Sequence, residues 1–284
     1  MIKKILFKLI FPFIEIFLFL KYLFFVRKLV IIFQPGKVGS KSIYHSIKKI
    51  NKNVIHVHEF NNFYEYKNHK SFYKINASYD YLHFGGNAKI ITCIRNPLER
   101  NISMFFNQLA SHESFYGLKD KDWQSNISID DLKNIFIEKF DHENFLYWYD
   151  FNIFRNFKID IYSKKISEYG YVIYNHNDFD IDKVKLNHQD SLLNVQNKNE
   201  LILIKTELDN SIKNKVLSKF LDINISIEKM NQTIENKDIG LIYNKFRDNV
   251  KFDSNFLNKY LNSNFFRHFY IDDTQKIIKK YEKK

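Results

Sequence analysis

The chain has 284 residues, of which 45 % are hydrophobic and 17 % aromatic, so it can bury the core of one large domain. Its 44 basic and 32 acidic side chains give a net charge of +12, which favours polyanions, anionic membrane surfaces or phosphorylated ligands as partners. Because Cys93 is the only cysteine, an internal disulfide and a cysteine-rich zinc site are excluded, and the chain fits the reducing cytoplasm.

Residues 1–28 form an apolar and basic N-terminal segment, ahead of a predicted domain over residues 29–284. Lys8, Glu15 and Lys21 interrupt its apolar run, and no small-residue cleavage site follows that would indicate a signal peptide. Three hypotheses remain open: an interfacial helix with snorkelling lysines, a poor spanning anchor, or a helix that covers the domain's own core. We favour peripheral association with the inner face of the cytoplasmic membrane.

Short apolar runs and amphipathic segments alternate along the domain. Four runs, rich in β-branched residues, are predicted to be buried strands: residues 29–33, 53–57, 89–94 and 201–205. Apolar residues at helical spacing predict helices over three segments between or after them: residues 40–50, 130–150 and 209–221. The C-terminal third is expected to be mostly helical. This order is typical of an α/β fold with a parallel sheet.

The clearest helix start lies in the stretch RNPLERNISMFFNQLA, which begins at Arg95. Asn96 is a favourable N-cap, Pro97 falls at the first helical position, and Glu99 falls three residues after the cap, as in a capping box. The sequence therefore predicts that a helix begins at Pro97.

The stretch QPGKVGSKSIYHSI, residues 34–47, joins the first predicted strand to the first predicted helix. A helix that begins after a glycine-containing loop presents unpaired backbone N–H groups and a positive dipole end, and both attract anions. The ATP-binding pattern G-x-x-x-x-G-K-[ST] fits poorly, because aligning Lys41 and Ser42 with its last two positions places Pro35 and Ser40 where glycines are needed.

A different loop pattern fits better. Residues 37–42 resemble the K-x-G-[ST]-x-[ST] loop of sulfotransferases, which binds the 5′-phosphosulfate of 3′-phosphoadenosine 5′-phosphosulfate (PAPS). The resemblance implies that the cofactor is bound by Gly36, Lys37, Val38, Gly39, Ser40, Lys41 and Ser42.

A second sulfotransferase pattern lies downstream. In that family an arginine at a strand end and a serine eight residues later hold the 3′-phosphate, and here Arg95 and Ser103 have this spacing. Arg95 follows a predicted parallel strand, at the edge of the sheet where α/β proteins bind ligands. Ser103 lies two turns into the following helix, so a guanidinium and a hydroxyl could flank one phosphate.

The rest of the chain resembles the capsular polysaccharide synthesis family, a bacterial sulfotransferase-like group, from about residue 29 to the end. The resemblance rests on four segments: residues 147–174, 201–208, 242–250 and 256–273. The C-terminal signature N-K-W-Y-S of relatives reads N-K-F-R-D here, at residues 244–248, so the first two residues and an aromatic position are kept. The resemblance implies a P-loop sheet of sulfotransferase type, flanked by helices, and a polysaccharide acceptor.

Catalysis of sulfuryl transfer requires charge neutralisation and a base. The resemblance assigns Lys37 to the growing charge on the leaving phosphate, and Lys41 could add charge or point to solvent. His56 and His58 lie two apart, hence on one side of the second predicted strand, and neutral imidazole suits general-base chemistry near pH 7. We rank His58 first as the base, His56 second and Glu59 third, with His83 as a distant candidate.

Three functions remain in competition. The leading hypothesis is a transferase that moves a sulfuryl group from PAPS to a hydroxyl of a capsular or surface polysaccharide, releases 3′,5′-phosphoadenosine (PAP), and uses neither a metal nor nucleic acid. The alternatives are a P-loop kinase that uses ATP and magnesium, and a non-catalytic, membrane-bound module that binds glycan.

Overall fold

Most of the predicted domain, and part of the segment before it, is described by a computed structural model. The described residues are 13–14, 16–21, 29–58, 77–78, 81–82, 86–109, 118, 126–139, 149, 153, 157, 159–175, 178, 199–228 and 237–283. Two residues considered as bases, Glu59 and His83, lie outside this set.

The described residues form one five-stranded sheet in the order β2-β1-β3-β5-β4. Its strands are β1 (Leu29–Phe33), β2 (Val54–Val57), β3 (Ala88–Ile94), β4 (Tyr171–Tyr174) and β5 (Glu200–Lys205). The first three and β5 run parallel, and β4 pairs antiparallel with β5 at one edge. The four strands predicted from apolar runs are confirmed, and the α/β class with a mostly parallel sheet is confirmed with them.

Eight helices are named along the described chain: α1 (Ser40–Ile50), α2 (Pro97–Leu109), α3 (Ile129–Lys139), α4 (Asn210–Leu221), α5 (Lys237–Asn249), α6 (Ser254–Leu261), α7 (Asn264–Phe269) and α8 (Thr274–Tyr281). A single 3₁₀ turn, Ile271–Asp273, separates α7 from α8. The predicted helical C-terminal third is confirmed by the four helices α5 to α8.

The order of the strands determines where a ligand can bind. From β1 the chain passes through α1 to β2 on one side of β1, and then crosses to β3 on the other side. The loops that follow β1 and β3 therefore diverge at a topological switch point. In open α/β sheets this crevice, at the carboxyl ends of the strands, is where ligands bind.

The predicted start of α2 is confirmed, with one difference in its capping. The Asn96 Oδ1 accepts hydrogen bonds from the N–H groups of Leu98 at 3.1 Å and Glu99 at 3.3 Å, as an N-cap does. Glu99 does not complete a capping box, because its carboxylate accepts from Lys280 Nζ and from the Tyr281 hydroxyl. The Asn96 N–H donates instead to Glu207 Oε1 at 2.8 Å, which links α2 to the loop after β5.

Packing of the C-terminal helices depends on a cluster of rings between α2, α3, α5 and α6. We call it the aromatic cluster, and it consists of Phe105, Phe106, Phe136, Tyr243, Phe246, Phe252 and Phe256. Phe246 is completely buried, and its ring centre lies 5.2 Å from that of Phe106 and 6.3 Å from that of Phe136. The helical part is thus joined to the sheet domain by one continuous apolar core.

The described residues of the N-terminal segment are helical and have two different sides. Leu18 and Phe19 pack against the core of the domain, whereas Phe13 is 73 % exposed and Phe17 is 67 % exposed. Among the residues that the structure describes, no helix is both long enough and apolar enough to cross a bilayer.

Candidate functional site

The loop between β1 and α1 has an unusual backbone at two positions. Lys37 has a φ of 66° and Gly39, the N-cap of α1, has a φ of 73°. A Cβ atom on Gly39 would lie 2.7 Å from Thr206 Cγ2, so both the conformation and the space require glycine there. Lys37 carries the strain of a left-handed conformation, which is typical of functional sites.

Side chains from other elements hold this loop open toward the ligand edge. Three successive carbonyls are each bound from outside the loop: Gly36 O by Arg100 Nε at 3.0 Å, Lys37 O by Arg95 Nη1 at 3.1 Å, and Val38 O by Thr206 Oγ1 at 2.5 Å. In a trans peptide the N–H points opposite to its C=O, so the N–H groups of Lys37, Val38 and Gly39 point away from these partners. The first turn of α1, which has no side-chain cap in the described structure, adds further backbone donors beside them.

The electrostatics of the loop favour an anion. Burial, followed by the charges of Lys41 and Arg95, holds the pKa of Lys37 below its usual range. Burial also lowers the pKa of Arg100, which is 8 % exposed, to about 10. Both cations are poorly solvated and are repelled by Arg95, so a bound anion would relieve both costs.

Of the second predicted phosphate pattern, Arg95 reaches this loop and Ser103 is buried on the following helix. Arg95 contacts the Lys37 carbonyl directly. On α2, Arg100 contacts Gly36, and Met104 Cε lies 3.8 Å from the position of a Cβ on Gly36. Ser103 lies between these two in sequence and shares their side of the helix, where it is 3 % exposed. A phosphate held by Ser103 would therefore be largely desolvated.

A buried polar network lies behind the loop. Gln34 Nε2 contacts Ser40 Oγ and lies 3.1 Å from His56 Nε2, and Ser40 Oγ lies 2.9 Å from the same ring nitrogen. Burial, followed by the charges of His58 and Lys41, lowers the pKa of His56 to about 3. His56 is therefore neutral near pH 7, and its Nε2 is engaged with the start of α1, so it positions the loop.

His58 is held by one ring nitrogen and can accept a proton on the other. It is exposed just beyond the end of β2, and its ring centre lies 5.3 Å from that of His56, on the same side of the strand as predicted. Its Nδ1 lies 2.8 Å from the Gln34 carbonyl, which can only accept, so Nδ1 carries the proton. In the neutral tautomer the lone pair is on Nε2, which is the atom that could accept a proton.

A cavity of about 500 Å³ opens beside the loop, between the start of α1 and the segment from the end of β5 to α4. Its lining includes Gly39 and Ser42 from the loop and the first turn of α1. The rest of the lining includes residues 204–210, Lys213 and Glu228. Pockets of this size are typical of small-molecule sites.

Two other lysines differ from Lys37 in their position. Lys41 is exposed on the first turn of α1, and Lys245 is exposed on α5, whose next residue, Phe246, belongs to the aromatic cluster. Within the described part of the chain, no group of three or more histidine, cysteine, aspartate or glutamate side chains is arranged to hold a metal ion.

Several residues of the site were missed from the sequence: Gln34, Arg100, Thr206 and Glu207. Gln34 and Thr206 stand directly after β1 and β5, where polar side chains from neighbouring parallel strands meet. Their position directly after a strand is the sequence feature that could have indicated Gln34 and Thr206 as site residues. The bond of Arg100 to Gly36 spans 64 residues and has no local pattern.

Searches against protein-family models, curated proteins and solved structures find no match for this chain. The fold is that of an α/β protein whose β1–α1 loop lies at the switch point of its mostly parallel sheet.

Proposed function

We propose that this protein is a sulfotransferase that uses PAPS and transfers a sulfuryl group to a hydroxyl of a capsular or surface polysaccharide. The observation that carries the proposal is the contact between Arg95 Nη1 and the Lys37 carbonyl. It joins the loop that resembles a phosphosulfate site to the arginine that resembles a 3′-phosphate site, although the two lie 58 residues apart.

The residues at this edge of the sheet fit the chemical groups of PAPS. The donors of residues 36–42 and the charge of Lys37 suit the phosphosulfate, while Arg95 and Ser103 suit a second phosphate. The cavity of about 500 Å³ beside Gly39 and Ser42 has room for a nucleoside next to the phosphosulfate loop. When bound, PAPS supplies an activated sulfuryl group with PAP as its leaving group.

Two side chains would act on the reacting atoms. Lys37 would place positive charge against the phosphate that leaves, which is where negative charge grows. His58 Nε2 would accept the proton of the acceptor hydroxyl as its oxygen attacks sulfur, and the Gln34 carbonyl would keep Nδ1 protonated throughout. His56 and Ser40 would hold the loop in place from behind.

The same geometry supports PAPS over ATP as the ligand. In the ATP-binding pattern the positions of Pro35 and Ser40 must be glycines so that the backbone can wrap a phosphate chain. Here Pro35 is buried and the Ser40 hydroxyl is engaged by Gln34 and His56. A ligand held by Lys37 and the N–H groups around Gly39 fits this loop better.

Thermal unfolding with added ligands tests the proposal. Because PAP binds the folded state, it should raise the free energy of unfolding by about 2.7 kcal/mol at a hundredfold excess over Kd, and the midpoint temperature with it. ATP with magnesium should raise the midpoint less. A clear shift with ATP and magnesium, and none with PAP, would favour the kinase. Sulfuryl transfer to polysaccharide acceptors should then be lost in Lys37→Ala, whereas unchanged capsule assembly by that variant would favour a glycan-binding module.

The N-terminal segment supports a location at the inner face of the cytoplasmic membrane. Phe13 and Phe17 leave large apolar side chains exposed, while Leu18 and Phe19 fix the helix to the domain. Replacement of Phe13 and Phe17 by Ser should move the protein from the membrane pellet to the supernatant without unfolding it. Retention in the pellet would contradict this placement.

A further inference from the structure

A row of basic side chains extends along α1 from the anion-binding loop. We call it the basic stripe, and it consists of Lys41, His45, Lys48 and Lys52. The spacing of four and three residues places Lys41, His45 and Lys48 on one side of α1, and Lys52 follows in the turn after the helix. All four are exposed, and at 1.5 Å per residue the helical part of the stripe, from Lys41 to Lys48, is roughly 10 Å long.

The stripe lies next to the proposed reaction site. Tyr44 stacks on His56 with ring centres 5.4 Å apart and contacts His45 at 5.3 Å. The charges of Lys41 and His45 act on His56, and that of Lys41 also acts on Lys37. The stripe therefore runs beside β2, the strand that leads to His58.

The charge of the stripe is open to a ligand. Among the described residues, no carboxylate forms an ion pair with Lys41, Lys48 or Lys52. Lys49, which lies off the stripe, is different because its Nζ pairs with Glu228 Oε1 at 2.6 Å. The fold thus neutralises one side of α1 and leaves the other side positive.

We infer that the basic stripe binds an acidic glycan, one that carries carboxylate or sulfate groups, and leads its acceptor hydroxyl toward His58. This inference rests on the proposed function, since it names the class of polysaccharide that the enzyme takes. A single row of cations matches a linear polyanion with charges spaced along it.

The composition of the stripe favours a glycan over nucleic acid or a membrane. Single-stranded nucleic acid is held by open aromatic faces, but Tyr44 is half-buried between His56 and the Lys48 ammonium, which lies 5.2 Å from its ring centre. Membrane-binding helices pair basic residues with an apolar face, and Ile50, the exposed large apolar residue of α1, lies two residues from Lys48 and so points elsewhere.

The test compares two double variants that remove the same charge. Lys48→Gln with Lys52→Gln alters the stripe away from the loop, and Lys215→Gln with Lys219→Gln alters exposed lysines of α4. Affinity for polygalacturonate should fall about fivefold in the stripe variant and stay near wild type in the control. Both variants should bind PAP as the wild type does.

Two kinds of result would overturn the inference, and a third would overturn only the proposed reaction. If both variants bind polygalacturonate equally more weakly than wild type, binding depends on the net charge of the protein and not on the stripe. If wild type binds oligo-dT or phosphatidylglycerol vesicles more tightly than polygalacturonate, and the stripe variant loses that binding, the stripe binds nucleic acid or lipid instead. Suppose that the wild type fails to bind PAP while the stripe variant still binds polygalacturonate more weakly than the control variant does. In that case the proposed reaction is wrong, but the stripe is still a glycan-binding surface.

Discussion

The loop edge of the sheet and the aromatic cluster are built in opposite ways. At the loop edge, charged and polar side chains hold backbone carbonyls, and cations such as Lys37 are partly buried beside one another. In the aromatic cluster, Phe246 packs against other apolar rings, and every member except Tyr243 is a phenylalanine. The first arrangement costs stability and the second supplies it.

This contrast explains how one chain can hold a strained loop. The left-handed conformation of Lys37 opposes folding by on the order of 1 kcal/mol. Its partial burial beside Lys41 and Arg95 adds to that cost. Ring packing between α2 and α5 offsets these costs. The helix α2 takes part in both regions, because it carries Arg100 as well as the packed rings. Substitutions in the two regions should therefore separate stability from ligand binding.

The largest effect is expected in the aromatic cluster. Phe246→Ala should lower the free energy of unfolding by about 3–5 kcal/mol, because it removes a fully buried ring and leaves a cavity. Urea denaturation gives this value, and Phe246→Leu, which fills more of the space, should lose much less. PAP affinity of the folded fraction should stay unchanged. A loss of that affinity would show that the aromatic cluster contributes to ligand binding as well as to stability.

At the loop edge, His58→Ala should reduce turnover by about a hundredfold while PAP affinity is kept, since a general base contributes roughly 10²–10⁴ to the rate. Sulfuryl transfer under saturating PAPS measures the effect. His268→Ala is the matched control, because His268 also contacts a backbone carbonyl, Lys164 O at 2.8 Å, but on α7. Retention of most transfer by both His58→Ala and His56→Ala would remove the histidine base.

His56 should make stability depend on pH. Its pKa is about 3 in the folded protein against an ordinary value of 6.5, so below pH 6.5 the unfolded chain binds more protons. Stability is therefore lost as the pH falls from 6.5 toward 3, by on the order of 2 kcal/mol at pH 5. His56→Asn should flatten this part of the pH profile in urea denaturation, and an unchanged profile would contradict the buried neutral state.

A smaller effect is expected at Gly39. Gly39→Ala should lose about 1–2 kcal/mol, because alanine at a φ of 73° is strained and its Cβ would meet Thr206 Cγ2. PAP affinity should fall as well, since the loop must move. Adding Thr206→Ser to the Gly39→Ala variant should restore part of the stability and part of the PAP affinity. Serine lacks Cγ2 but keeps the hydroxyl that donates to Val38 O. Wild-type affinity in Gly39→Ala would show that the loop does not touch the ligand.

Local patterns predicted much of the fold. The apolar runs gave β1, β2, β3 and β5, and Asn96 with Pro97 gave the start of α2, because these signals depend on neighbours in sequence. The strand β4 was missed, since Tyr171–Tyr174 is four residues long and only alternately buried. It is also the strand that runs antiparallel.

The site could be predicted only in part, for a physical reason. Residues 37–42 and Arg95 were named from spacing, and their contact at the sheet edge follows from parallel strands. The partner of Val38 O, Thr206, comes from 168 residues along the chain, so no local pattern indicates it. The sequence placed His56 and His58 on one side of β2, but their different burial depends on Gln34 and Ser40.

Calorimetric titration of PAP into wild type and three variants tests the central claim, that the loop and Arg95 form one phosphate-binding site. We predict one PAP per chain, with affinity reduced more by Lys37→Ala and Arg95→Ala than by Lys41→Ala, since Lys41 is exposed. The account would be contradicted if wild type does not bind PAP, or if Lys41→Ala weakens binding more than Lys37→Ala does.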